Sequence, residues 1–192
     1  MNSSEKNHED KFYKSQDFSR QSFEHHIFLN CSFQSCNFSE CSLRNAKFVS
    51  CAFQNCNLSL LKLEGCRMQE VEFVKCKIVG GEFFKCDKQF FSVSFQDCLL
   101  QYCNFSGLNM KAASFQKTKI KEGYFTETVL KLASFDHCSL DGSMFHNCDL
   151  SLANFSTATD YVIDPRTNNI KDAHFSLPEA AGLLFSFGIK LD

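Results

Sequence analysis

The chain has 192 residues, 44% of them hydrophobic and 22% charged, and carries a formal net charge of −2. These proportions exclude a disordered chain; no run of 18 apolar residues offers a membrane-spanning helix, and Met1 to Lys14 is polar where a signal peptide needs an apolar stretch, so a cytoplasmic location is expected. The 23 Phe and 12 Cys beside no Trp and only 2 Pro form a narrow apolar alphabet, as when one small structural problem is solved many times.

In chain order, residues 1–16 read as a polar N-terminal tail and cap. Every fifth residue from Phe18 is then large and apolar: Phe18, Phe23, Phe28, Phe33, Phe38, Leu43, Phe48, Phe53, Leu58, Leu63, Met68, Phe73, Ile78 and Phe83. Between Phe84 and Ser94 the phase slips by two residues; Lys88 is the first polar residue at a central position, and Phe84, Phe90 and Phe91 crowd the slip. Those aromatics either seal a kink between two segments or expose a contact patch. A second register runs Phe90, Phe95, Leu100, Phe105, Met110, Phe115, Ile120, Phe125, Leu130, Phe135, Leu140, Phe145, Leu150 and Phe155. The central position takes 17 of the 23 Phe, a periodicity that neither the helical 3.6 nor the strand period of 2 produces.

Two residues ahead of each centre lies a small or medium residue, and all twelve cysteines fall there, among them Cys36, Cys56, Cys76, Cys86, Cys103 and Cys148. The other three positions of each unit are mostly Ser, Asn, Gln, Asp, Glu and Lys, as a solvent-facing surface with turns requires.

This pattern resembles the pentapeptide-repeat family, whose motif is a small residue, Asn or Asp, then Leu or Phe, then two variable residues. Its best local matches are Cys36-Asn37-Phe38-Ser39-Glu40, Cys56-Asn57-Leu58, Cys103-Asn104-Phe105-Ser106-Gly107, Cys148-Asp149-Leu150 and Ala153-Asn154-Phe155, and the resemblance covers about Asp17 to Phe155. It implies an all-β fold, a right-handed quadrilateral parallel β-helix with one pentapeptide per side and 20 residues per coil. Consistent with that length, the pattern lapses after Phe155 and re-enters in register at Ile170 and Ala173-His174-Phe175, leaving Asp160–Asn169 as one modified coil. The repeat region is expected over 17–175, as about seven to eight coils about 4.8 Å apart. Central side chains such as Phe33, Phe53 and Phe73 should stack over one another, with Phe38, Phe105, Phe115, Phe135 and Phe155 as further core positions.

Residues 176–192 read as a C-terminal module. Ser176-Leu177-Pro178-Glu179 carries a helix-start pattern, with Ser at the cap and Glu three residues on. Ala180, Leu183, Leu184 and Phe187 follow the spacing of one apolar helix face, and Ile189-Lys190-Leu191 could add a short strand. Such a segment caps the last coil and, together with Leu177 and Ile189, offers an apolar dimerisation face.

Catalytic and ligand-binding motifs are missing: the sequence holds no phosphate loop, dinucleotide fingerprint, zinc-protease helix or nucleophile elbow, so no enzyme activity, cofactor or metal is expected. Cys36, Cys56 and Cys76 would form one inward column with side chains poorly aimed for disulfides, and read as buried small hydrophobes; a thiol redox or metal role is the alternative. His137-Cys138 and His146-Asn147-Cys148 have ligand-like spacing, yet each Cys points inward and each His outward. Basic and acidic residues balance at 11 each through residue 87, whereas 88–135 holds 6 basic to 3 acidic and 136–192 holds 3 to 8. The basic zone Lys111, Lys117, Lys119, Lys121 and Lys131 has no interleaved exposed aromatics, so direct nucleic-acid binding is not expected.

A narrower resemblance is carried by Phe12 through Asp17-Phe18-Ser19-Arg20-Gln21 at one end. At the other it is carried by Asp164-Pro165-Arg166, Leu183-Leu184 and Gly188-Ile189 followed by a final acidic residue. These look like the ends of the Qnr quinolone-resistance proteins. That resemblance implies a homodimer through the C-terminus and a non-enzymatic rod that binds DNA gyrase or topoisomerase IV as a DNA-shaped competitor or quinolone-protection factor. A generic scaffold with an unrelated partner is the alternative.

Overall fold

The computed structural model describes residues 6–189. Short strands of two to four residues pair in parallel with strands one coil away, and the chain winds into the four-sided β-helix expected from the repeat. On one face, Phe28 lies opposite Phe48 and Phe48 opposite Met68. On the next, Phe33, Phe53 and Phe73 pair at 20-residue steps, Phe73 meets Phe95 at a step of 22, and Phe95 meets Phe115 at 20 again. We call these face 1 and face 2; faces 3 and 4 carry the columns Phe38–Leu58–Ile78–Leu100 and Leu43–Leu63–Phe83–Phe105.

The strands are short because each side ends in a corner, where all but a few of the fifth residues, Lys85 and Thr157 among the exceptions, adopt the left-handed conformation, with φ between 50° and 64° at non-glycine positions. That conformation costs roughly 1–2 kcal/mol for an ordinary L-residue. It explains the Asn, Asp, Ser and Gly in the outward alphabet, since these tolerate it best. The motif's Asn or Asp closes the turn. Its side-chain oxygen accepts the backbone N–H two residues on, as in Asn37 to Ser39 (3.1 Å), Asn104 to Ser106 (2.9 Å) and Asn154 to Ser156 (3.0 Å).

Inside, face 2 stacks Tyr13, Phe33, Phe53, Phe73, Phe95, Phe115, Phe135, Phe155 and Phe175 with ring centroids 4.5–5.4 Å apart and planes within 14° of parallel. Face 4 adds Phe83, Phe105, Phe125 and Phe145 at 4.9–5.1 Å, set edge-on to the face 2 stack. The rise of the coil sets this spacing, and burial of the rings is the main stabilising term.

Two boundaries differ from the sequence reading. Asn7–Glu9 and Phe12–Lys14 are ladder strands paired with Ile27–Leu29 and Ser32–Gln34, so the solenoid begins ahead of Asp17 and the segment read as a polar tail and cap contains a first coil. Its aromatic members, His8 stacked on Phe28 (4.4 Å) and Tyr13 on Phe33 (5.0 Å), lie outside the Phe/Leu alphabet and so escaped the pattern. At the other end, the helix is only Gly182–Phe185, preceded by a 3₁₀ turn at Glu179–Ala181. Ser176 does not cap it, because its hydroxyl donates to the Ser156 carbonyl on the coil below. The strand assigned to Ile189-Lys190-Leu191 falls largely outside the described residues, and Ile189 is exposed with no strand partner among the described residues.

Candidate interaction surfaces at the register break and the C-terminal end

The core positions are sealed. Phe33, Phe38, Phe53, Phe73, Phe105, Phe115, Phe135 and Phe155 are all buried, as are Cys36, Cys56, Cys76, Cys103 and Cys148. The cysteines do more than fill space. The thiols of Cys56, Cys76 and Cys98 donate to the carbonyls of Phe33 (3.4 Å), Phe53 (3.3 Å) and Phe73 (3.3 Å) on the coil below. Later in the chain, Thr128, Ser143 and Asn168 use side-chain donors on Phe105, Ile120 and Phe145 in the same way. At these positions the small site is also a donor slot, a role the hydrophobic reading of cysteine missed, although Ala46, Leu61, Val71, Leu108, Ala133 and Ala153 fill it without a donor; Thr, Ser and Asn at that position were the available signal. Burial pushes the Cys41, Cys103 and Cys138 thiols up to about 12 and Cys51 to about 11, the opposite of an activated thiolate.

His137 and His146 are exposed while Cys138 and Cys148 are buried, so neither pair converges. Among the described residues no three His, Cys, Asp or Glu side chains are placed to hold a metal ion, and no helix is long and apolar enough to cross a membrane.

The register break has a definite construction. Cys86 keeps its small site, and Asp87 bonds back through its N–H to the Cys66 carbonyl (2.9 Å). A 3₁₀ turn at Lys88–Phe90 follows, capped by the Asp87 side chain accepting from Gln89 N–H (3.1 Å). Phe91, not Phe90, is the central residue: it is buried against Phe83 (6.0 Å), and Ser92 N–H bonds the Met68 carbonyl (2.7 Å) as the residue after a centre does. This corrects the register assigned to Phe90. The chain inserts three residues before the centre and omits the corner residue after it, which nets the two-residue slip. Phe90 is half-buried beneath the Arg67 guanidinium, 3.6 Å from its ring centroid, and Arg67 also faces Asp87 (3.6 Å). Phe84 is half-buried near Lys85, and Lys88 is exposed.

The omitted corner leaves an open groove of about 490 Å³, walled by Glu70–Glu72 and Asn109–Ser114 and floored by Phe91–Ser94. A second cavity, about 430 Å³, lies at the C-terminal end between Tyr161–Asp164, Arg166, Gly182 and Ser186. The Arg166 guanidinium holds the Asp164 carboxyl down near about 2 and fixes that turn. Around it, Leu177, Leu184, Phe187 and Ile189 are exposed, whereas Ala180 and Leu183 are half-buried, Leu183 against the core.

Outer surfaces differ along the rod. Tyr124, Met144 and Val162 are direct ladder neighbours on face 4 and are 38%, 56% and 78% exposed, an apolar stripe that leads to the C-terminal cavity. At the corner after face 1, Leu132 and Leu152 are also exposed, both in the left-handed conformation. No sequence motif marks these residues, because outward positions accept most side chains.

A right-handed, four-sided parallel β-solenoid with one five-residue unit per side defines the class of protein. The chain belongs to the pentapeptide-repeat family: the model for the pentapeptide repeat region matches residues 11–83, 26–105 and 46–125, and that for pentapeptide repeats (8 copies) matches 124–156. A search of curated proteins gives no significant match. Among solved structures, a trypsin-treated form of QnrB1, a plasmid-mediated fluoroquinolone resistance protein, superposes over 97% of this chain and 100% of its own with a TM-score of 0.64 and 15% identity. A second trypsin-treated form gives 0.63 and 17% identity over 97% and 91%. HetL, involved in heterocyst differentiation regulation in the cyanobacterium Nostoc, gives 0.38 and 14% over 87% and 84%.

Proposed function

We propose that this protein is a non-enzymatic, cytoplasmic protein-binding rod that engages a type II topoisomerase, DNA gyrase or topoisomerase IV, and dimerises through residues 176–192. The observation that carries this reading is the correspondence with a trypsin-treated form of QnrB1, a plasmid-mediated fluoroquinolone resistance protein, over 97% of this chain and 100% of that one. The exposed Leu177, Leu184, Phe187 and Ile189 at the C-terminal end support the dimer, since exposed apolar side chains gathered at one end favour association. Recognition would rest on rod shape and apolar contact rather than on DNA-like charge. Duplex DNA carries one charge per about 1.7 Å, whereas this chain has a net charge of −2 and pairs many of its charges across coils, as in Arg20–Glu40 and Arg44–Glu64. That charge balance is also what favours the second reading, a scaffold with an unrelated partner.

The test is gyrase supercoiling and quinolone-induced DNA cleavage with the purified protein titrated in, beside a form lacking residues 176–192. Rescue from the drug, or inhibition that weakens in the truncated form, is the expected outcome. No effect at tens of micromolar returns the protein to the scaffold reading. Sedimentation of both forms checks the dimer separately, and a monomer at high concentration overturns it.

A further inference from the structure

The groove at the register break has unmet backbone hydrogen bonds on two sides. One coil further on, the face 1 ladder is complete: Val129 N–H bonds the Leu108 carbonyl (3.0 Å), Met110 N–H the Val129 carbonyl (2.8 Å) and Ala112 N–H the Lys131 carbonyl (2.8 Å). The three equivalent bonds between Asn109–Lys111 and the coil below are absent. Asn109 N–H, the Asn109 and Lys111 carbonyls, and the Phe91 carbonyl bond no described residue, while Phe91 N–H closes the 3₁₀ turn on Lys88. Lys111 N–H is taken by the Asn109 side chain (3.2 Å). The cause lies in the chain: the corner residue that would donate to the Lys111 carbonyl is the one omitted after Ser92, and Ser92 instead gives its carbonyl to Val71 N–H (3.0 Å).

An unpaired donor among unpaired carbonyls along an interrupted ladder is a template for another extended backbone. Here the edge is interrupted in mid-rod and opens on a groove of about 490 Å³, within the about 300–1,000 Å³ range of ligand sites. Its side chains leave room: Ser92, Ser94, Ala112 and Ser114 are small, with Phe91 and Met110 buried beneath. The lower rim is acidic, with Glu70 and Glu72 both exposed and Glu70 steadied by Ser50 Oγ (2.8 Å); Lys111 stands on the opposite wall.

We propose that this groove binds an extended peptide segment of a partner protein, whose backbone pairs with the free groups of Phe91, Asn109 and Lys111 and whose basic side chains face Glu70 and Glu72. Small alternate residues of that segment lie over Phe91 and Met110. This site is independent of the topoisomerase reading and of the C-terminal end.

The test uses the full chain, labelled with ¹⁵N, and the capped peptide Lys-Ala-Lys-Ala-Lys with its N-methylated and Asp-for-Lys counterparts as probes. The expected result is a shift of the Phe91 and Asn109 amide signals and at least tenfold slower hydrogen exchange at Asn109, from the unmethylated Lys peptide alone. E70K/E72K should weaken that binding at least tenfold with an unchanged far-UV spectrum. Removing Lys88 and Gln89, which restores a 20-residue coil, should abolish it. Binding of the N-methylated peptide with equal affinity, indifference to E70K/E72K, or unmoved Phe91 and Asn109 signals overturns the proposal.

Discussion

The two sides of the register break build the same core beneath different surfaces. Before it, coils are tied on the outside by ion pairs at 20-residue spacing, Arg20–Glu40 and Arg44–Glu64, with Lys85 joining Glu64 and Glu82. Beyond it, the outward positions include Tyr102, Tyr124, Val129, Leu132, Met144, Leu152 and Val162, all exposed. The stacked rings continue through both halves at one spacing, so the difference is not imposed by the core. Leu132 and Leu152 even accept the left-handed corner conformation that Leu disfavours. Leu60 does the same before the break, but most of the exposed apolar surface lies in the C-terminal half.

The comparison can be broken most directly in the core. Phe53→Ala and Phe115→Ala remove equivalent face 2 rings on either side of the break, and each is expected to cost about 3–5 kcal/mol in urea unfolding. If the halves form one cooperative unit, both variants melt in a single transition; two separated transitions would mean that the break divides the rod energetically.

A smaller effect tests the donor slot. Cys56→Ser retains a donor to the Phe33 carbonyl, whereas Cys56→Val removes it, and the Val variant is expected to be less stable than the Ser variant by about 1 kcal/mol. Equal stabilities would reduce the site to space filling. In the native protein the thiols should react with a disulfide reagent only on unfolding, and rapid titration of Cys41 or Cys103 would contradict their raised pKa.

The surface pairs of the first half are expected to contribute less still. A double-mutant cycle on Arg44 and Glu64 should give about 0.2–1 kcal/mol, falling with added salt. A larger coupling would mean that these ties, rather than ring stacking, hold the first half together.

Acid should act on the first coil. His26 is buried, bonded to His8 (2.9 Å) and stacked with it, and burial together with the Lys6 charge holds its pKa below the ordinary histidine value of about 6.5. The unfolded chain therefore binds the proton first, so the His26 contribution is full at neutral pH and is lost as pH falls below about 6.5. Melting curves at pH 7.5 and 5 should show a drop in Tm that shrinks in His26→Leu; an equal drop in both would assign the acid effect elsewhere.

Much of this molecule was readable from the residues. The central positions and the inward cysteines follow from the five-residue period, because an inward side chain meets the same enclosed environment whichever coil it belongs to, and the coil length follows from the family resemblance that this period carries. The partial misreadings come from positions where several side chains satisfy one rule. His8 and Tyr13 stack as well as Phe, so the first coil looked like a tail; Cys, Thr, Ser and Asn all serve as donors, so the small site looked merely apolar.

The sequence by itself determined which residues face inward, since a large apolar residue at every fifth position fits neither a helix nor a flat strand, and the resemblance to the pentapeptide-repeat family that this period carries implied the solenoid. Only the tertiary structure decided how the break is built. Phe90 and Phe91 are adjacent and identical, and which of them enters the core depends on Ser92 finding the Met68 carbonyl and on Arg67 covering Phe90 from the coil below. The same holds for the open backbone at Asn109, because a missing ladder bond is a relation between two coils, and no residue within either coil encodes it alone.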